Sequence, residues 1–166
     1  MHRGQTLSTD LLVAFAIFIF ISDASILVWQ GQVIKAHELG NRNWMEGAAR
    51  AASSQLLTSG EPSNWEVVDL AQTPVHSFGL ASSSNVIEWN KVEKAMDMGS
   101  DPASYQMVKQ NLGLECCQLW FGVMYSNGTV VGSFGNPPPN NVSSVTIDRK
   151  AMLNSSPVTV RLRVWQ

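Results

Sequence analysis

The chain is poor in charge and poorer in cysteine, and each scarcity removes a class of protein. Only 14% of its 166 residues are charged, and the formal net charge is -2 at pH 7. No Lys- and Arg-rich block occurs, so the clustered positive surface that holds a phosphate backbone is missing and no nucleic-acid partner is expected. The only two cysteines, Cys116 and Cys117, are adjacent. Neighbouring Cα atoms lie about 3.8 Å apart, whereas ordinary disulfides span about 4.4–6.8 Å, so the pair does not read as a disulfide framework. Unpaired small hydrophobes at the start of a strand are the expectation, with redox or intermolecular pairing as the alternative.

Catalytic signatures are missing as well. The three histidines are His2, His37 and His76, and no HExxH, GxSxG, phosphate-binding loop, dinucleotide fingerprint or CxxC pair is present. Nothing in the spacing joins Cys116 or Cys117 to His76 as a nucleophile pair. Neither an enzyme, nor a cofactor, nor a metal site is expected.

What the chain does contain is a long apolar run near its start, inside "HRGQTLSTDLLVAFAIFIFISDAS". Leu11 to Ile21 is uninterrupted but too short by itself to cross about 30 Å of hydrocarbon. Extension to Trp29 admits Ser22, Asp23 and Ser25, and insertion still wins. Each Leu, Ile, Phe or Val contributes about -0.3 to -0.6 kcal/mol, against about +2.5 to +3.5 kcal/mol for one central Asp. Arg3 and the terminal amine, with no acid before Asp10, keep the N-terminus cytoplasmic and place the remainder outside. A cut near Ser25 would instead make the run a removable secretory signal, and no cut at all would leave a simple membrane anchor.

No turn signal follows the run. Ile26, Val33, Ile34, His37, Asn41, Trp44, Met45, Ala48, Ala52 and Leu56 recur at helical spacings, and Gly60 and Pro62 supply a stop. One helix from about Thr9 to Ser59 is therefore expected, apolar all round at first and then apolar on one stripe only. Beyond it, a short extended segment is expected at Val67 to Leu70. Ser84 or Asn85 should cap a helix running to about Met98, and Asp101-Pro102 should open another that ends at Gly113. Four antiparallel strands close the chain: "CQLWFGVMY" and "TVVGSF" around the hairpin signal Asn127-Gly128, then "VSSVTIDRK" and "PVTVRLRVWQ". The helical stripe should cover the apolar face of this sheet, with Trp44, Trp65, Trp89, Trp120 and Trp165 in the core between them. Trp29 suits a membrane interface. Asn127, Asn141 and Asn154 each head an N-x-[ST] triplet, which fits glycosylation on an outside surface.

The basic leader "MHRG", the junction "RGQTLSTDLL", the apolar stretch after it, the outgoing helix and the small C-terminal sheet together resemble the type IV pilin superfamily. The likeness is strongest to archaeal pilin-like proteins with a class III signal peptide. The motif proper covers residues 3 to 21; the layout covers the chain. This resemblance implies an α+β, pilin-like fold and a leader, residues 1–4, that a prepilin peptidase removes between Gly4 and Gln5, with Arg3 just before the cut. It further implies a membrane and polymerisation segment over residues 5–30 and an outer domain over 31–166. Asp10 is the nearest match to the acidic residue that pairs with a neighbour's free amine, one position beyond the usual spacing. Leu11, Leu12, Phe15, Phe18 and Ile19 would exchange lipid for helices of other subunits. The implied partners are the membrane before assembly, the peptidase, an assembly platform, and self or other pilins in a surface filament, with adhesion among its roles. A stand-alone membrane-anchored or secreted extracellular binding domain is the alternative.

Overall fold

In the computed structural model the described residues are 3–69 and 72–166, side chains excepted at residues 3–9, 34, 37 and 38. His2, Leu70 and the side chain of His37 thus lie outside the described residues. The elements run α1 (Arg3–Gln55), β1 (Ala81–Ser83), β2 (Val86–Ile87), α2 (Trp89–Ser100), α3 (Pro102–Asn111), β3 (Gln118–Tyr125), β4 (Val130–Phe134), β5 (Ser144–Leu153) and β6 (Ser156–Trp165). Contacts divide the chain between Asn43 and Trp44 into two units. The first is helical. The second, Trp44–Gln166, is α+β.

Its six strands form one mixed sheet in the order β1-β2-β5-β6-β3-β4. The alternation read in β6 is realised in part: Val158, Val160, Leu162 and Val164 are all buried and Arg161 and Arg163 are half-buried on the other face, but Thr159 on that face is buried as well. At the β3–β4 hairpin the expected Asn127-Gly128 turn forms. Gly128 takes φ 86° and the Thr129 amide donates to Asn127 Oδ1 at 3.0 Å. The β5–β6 turn places both Asn154 and Ser155 at positive φ, 49° and 64°, which matches the right-handed twist of the flanking strands.

An aromatic stack fills the centre of this unit. Phe121 and Phe134 are register partners on β3 and β4, with ring centroids 4.9 Å apart and planes within 5°. Phe78 leans on both from 6.3 and 6.5 Å, and Trp65 packs on Phe78 at 4.6 Å. Ala49, Ala52 and Leu56 bring the helical stripe into the same core, the alanines allowing close approach. Arg149 ties sheet to helix, its Nε and Nη2 donating to the Ser53 and Ser54 hydroxyls at 3.1 and 2.9 Å. Lys91 is buried, and its ammonium donates to the Ser59 and Ala81 carbonyls at 2.8 and 3.0 Å. Those two bonds, with the Glu88 carboxylate 3.9 Å from the ammonium, satisfy a charge that would otherwise be costly to bury.

Several sequence expectations change. The sheet is not four antiparallel strands: β1 and β2 add to it, and β2 runs parallel to β5 through Val86↔Met152 and Ile87↔Leu153. Strands of three and two residues carry no readable alternation, so their pairing is a product of tertiary context. Asn85 turns the chain between them at φ 59° instead of capping a helix, and α2 starts at Trp89 without a side-chain cap bond. Residues 67 and 68 are turn and bend rather than extended, and residue 69 belongs to no strand, with the Val67 amide donating to the Asn64 carbonyl at 3.1 Å. Cys116 and Cys117 precede β3 in a turn, and their sulfurs are joined as a disulfide between neighbours. A strand would have sent the two side chains to opposite faces; the turn sends both sulfurs the same way.

The tryptophans also separate. Trp65 is fully buried and Trp165 nearly so, but Trp89 and Trp120 are half-buried and Trp44 is 52% exposed. Trp120 lies over Gly122, where a Cβ would come within 2.6 Å of the indole; it covers the outer face of the sheet and not the core. By contrast α3 begins as expected, with the Asp101 carboxylate accepting from the Ser104 hydroxyl at 2.7 Å and the Ser104 amide at 2.8 Å. The Ser104 hydroxyl first, then its amide, holds Asp101 below the usual carboxylate range.

Candidate functional site

The feature that most needs a partner is the surface of α1 in the first unit. Asp10–Val33 is a 24-residue stretch, none of it buried, whose most apolar 18 residues have a mean hydropathy of 2.6, long and apolar enough to cross a membrane. At 100° per residue, Leu11, Phe15 and Phe18 share one face, and Leu12 and Ile19 form the stripe beside it. The first four are 60–71% exposed and Ile19 is 44% exposed. Val13, Ile17 and Phe20 on the remaining surface are exposed too, so the helix is apolar all round. Its polar interruptions are muted: Ser25 turns its hydroxyl onto the Ile21 carbonyl at 2.8 Å, which removes an unmet donor from the apolar surface. Asp10 and Asp23 remain exposed, and among the described residues neither carboxylate has an ion-pair partner. The backbone of Arg3, Gly4 and Gln5 opens α1, while their side chains lie outside the described residues.

The second unit places the three sequon asparagines on exposed turns. Asn127 and Asn154 lie in the β3–β4 and β5–β6 turns. Because Tyr125 is paired with Val158, these two turns share one end of the sheet. Asn141 lies in the loop before β5, at the opposite end, where Ser144 pairs with Trp165. Among the described residues no group of three or more His, Cys, Asp or Glu could hold a metal ion.

One ion pair marks the outer sheet face. Arg161 donates from Nε and Nη2 to the two carboxylate oxygens of Asp148, each at 2.8 Å. This bidentate bond is the main reason Asp148 sits below, and Arg161 above, its ordinary pKa. A carboxylate whose pKa is lower folded than unfolded contributes stability above the unfolded value, and that contribution disappears as the pH falls through the folded one. Both side chains are 41% exposed, so solvent screening keeps the effect to about 0.2–1 kcal/mol. Asp148→Asn should therefore be less stable than the parent by that amount at pH 7 and equal to it near pH 2, read from urea unfolding at both pH values; a pH-independent difference would remove the pair from the account.

Sequence reasoning did not single out a cleft formed where α2, α3, β3 and β6 end or begin. Its only legible signals were Gly99 and Gly135, whose role as close-approach glycines depends on strands and helices distant in sequence. Comparison with known protein families, with curated proteins and with solved structures finds no match for the chain.

Proposed function

We propose that the chain is a non-enzymatic, pilin-like subunit of an archaeal type IV pilus-like surface filament. It is made with a class III signal peptide, cut by prepilin peptidase after Gly4, and assembled through its N-terminal helix. The observation that carries this reading is the all-round apolar surface of Asp10–Val33, with none of it buried, on a chain whose other unit has a complete core of its own. Such a surface needs lipid or other apolar helices around it, and one surface serves both surroundings in turn. Before assembly the segment anchors the chain in the cytoplasmic membrane, with the Trp44–Gln166 unit outside; in the filament, copies or related pilins replace the lipid. The exposed sequons at Asn127, Asn141 and Asn154 suit a glycosylated skin.

The test is the N-terminal residue of the mature protein, measured by mass spectrometry on material from its own cells. A chain that begins at Gln5 supports the reading. One that begins near Ser25 is a secreted domain, and an intact Met1 makes a simple anchor; either result overturns it. Asp10, exposed at the start of the apolar stretch and among the described residues without an ion-pair partner, would pair with a neighbouring subunit's amine. Asp10→Ala should be cut normally yet fail to enter filaments, measured as the ratio of filament-bound to membrane-bound chain, and normal incorporation would end that role for Asp10.

A further inference from the structure

We propose that the cleft between the α2–α3 corner and the Gln118–Trp165 end of the sheet binds a single neutral sugar ring. The inference is independent of filament assembly. Gln118 opens β3, Trp165 closes β6, and the two are register partners, so an amide and an indole stand side by side at one end of the sheet. Tyr105 comes from α3, held by stacking on Phe134 with ring centroids 5.4 Å apart. Two glycines draw the walls together. A Cβ on Gly99 would lie 2.8 Å from the Gly135 nitrogen, and one on Gly135, at φ 73°, would lie 2.9 Å from the Leu119 carbonyl oxygen. The result is a cleft of about 260 Å³ whose polar lining comes from Ser100, Tyr105, Gln118 and Asn136 beside the Trp165 indole.

The chemistry of that lining selects the ligand. No Asp, Glu, Lys, Arg or His lines the cleft; Lys109, whose ammonium sits over the Tyr105 ring 5.7 Å from its centroid, is 4% exposed and is not among the lining side chains, so an ion entering the cleft would lose water without a counter-charge in direct contact. Tyr105 accepts from the Leu119 amide at 3.0 Å, and its own proton lies between the Leu119 carbonyl at 3.0 Å and Gln118 Oε1 at 3.1 Å. That contact sets the Gln118 carboxamide in place and, among the described residues, leaves Nε2 without a partner. The Asn136 carboxamide is exposed and, among the described residues, makes no hydrogen bond. Preset amides beside the rim of an indole that is 8% exposed, with Pro102 also lining the cleft, suit a ligand that offers several hydroxyls around a small apolar C–H edge, which is the description of a pyranose. The volume lies below the usual range of about 300–1,000 Å³ for drug-sized ligands, which limits the occupant to one ring.

The experiment is calorimetric titration of the full-length chain in lipid nanodiscs with the methyl glycosides of glucose, galactose, mannose and N-acetylglucosamine, and with sodium sulfate as the charged control. At least one glycoside is expected to bind saturably at one site per chain, without competition from sulfate. Gln118→Ala and Asn136→Ala alter exposed positions and leave the core untouched, and each should weaken that binding about five- to tenfold. The proposal is overturned if none of the four glycosides saturates, if sulfate displaces them, or if both variants bind as the parent does.

Discussion

A chain carrying Gly4→Phe is expected to accumulate uncut, with almost no mature product, when made in its own cells. On the proposed function, a peptidase takes an extended backbone into its site at the residue before the cut. Glycine lets that backbone approach closely because it has no Cβ, whereas a benzyl group fills the space the enzyme's own backbone would occupy. Gly4→Ala adds a single methyl and should be cut slowly rather than not at all, which separates a steric requirement from general damage. The readout is the intact mass of membrane-bound chain, since the uncut form retains residues 1–4. Normal cutting of Gly4→Phe would mean that the enzyme does not read this junction, and with it would go the central step of the proposed function. The apolar helix would then be an anchor, and Asp10 an acid near the membrane surface.

Phe121→Ala should lower the stability of the Trp44–Gln166 unit by about 3–5 kcal/mol, the usual loss for a buried aromatic ring. Phe121 is 2% exposed, stacks on Phe134, and touches Phe78, so two rings lose a partner at once. The β4 and β6 backbones on either side of β3 cannot move in to fill the space, because each is held in register to β3. The control is Trp44→Ala. Trp44 is the largest side-chain type in the chain but half of it is in water, and its loss should cost within about 0.5 kcal/mol. Urea unfolding of the full-length chain in mild detergent, followed by tryptophan fluorescence, measures both. A loss under about 1 kcal/mol at Phe121 would mean that the aromatic stack is not part of the cooperatively folding core.

Much of this architecture is written locally. The apolar stretch after Asp10, the helical stripe through Ala52 and Leu56, the Asp101-Pro102 helix start, the Asn127-Gly128 hairpin and the alternation in β6 each depend on residues within one or two turns of one another, and short-range preference is enough to specify them. The proposed processing, assembly and sequon positions belong to the same class, since each is defined by neighbours in the chain; Asp10, the apolar residues after it and the three sequon asparagines are exposed. The remaining features required the assembled fold. β1 and β2 are too short to carry a pattern, and they are strands because β5 offers a parallel edge at Met152 and Leu153. Asn85 served a turn rather than a cap because that edge held Val86 and Ile87 first. Which tryptophans are buried was likewise undecided by spacing, since Trp65 sits in an irregular connection and is buried by Phe78. The cleft at Gln118, Asn136 and Trp165 assembles residues from two helices, two strands and a loop, and only packing among segments far apart in the chain brings such groups to one place.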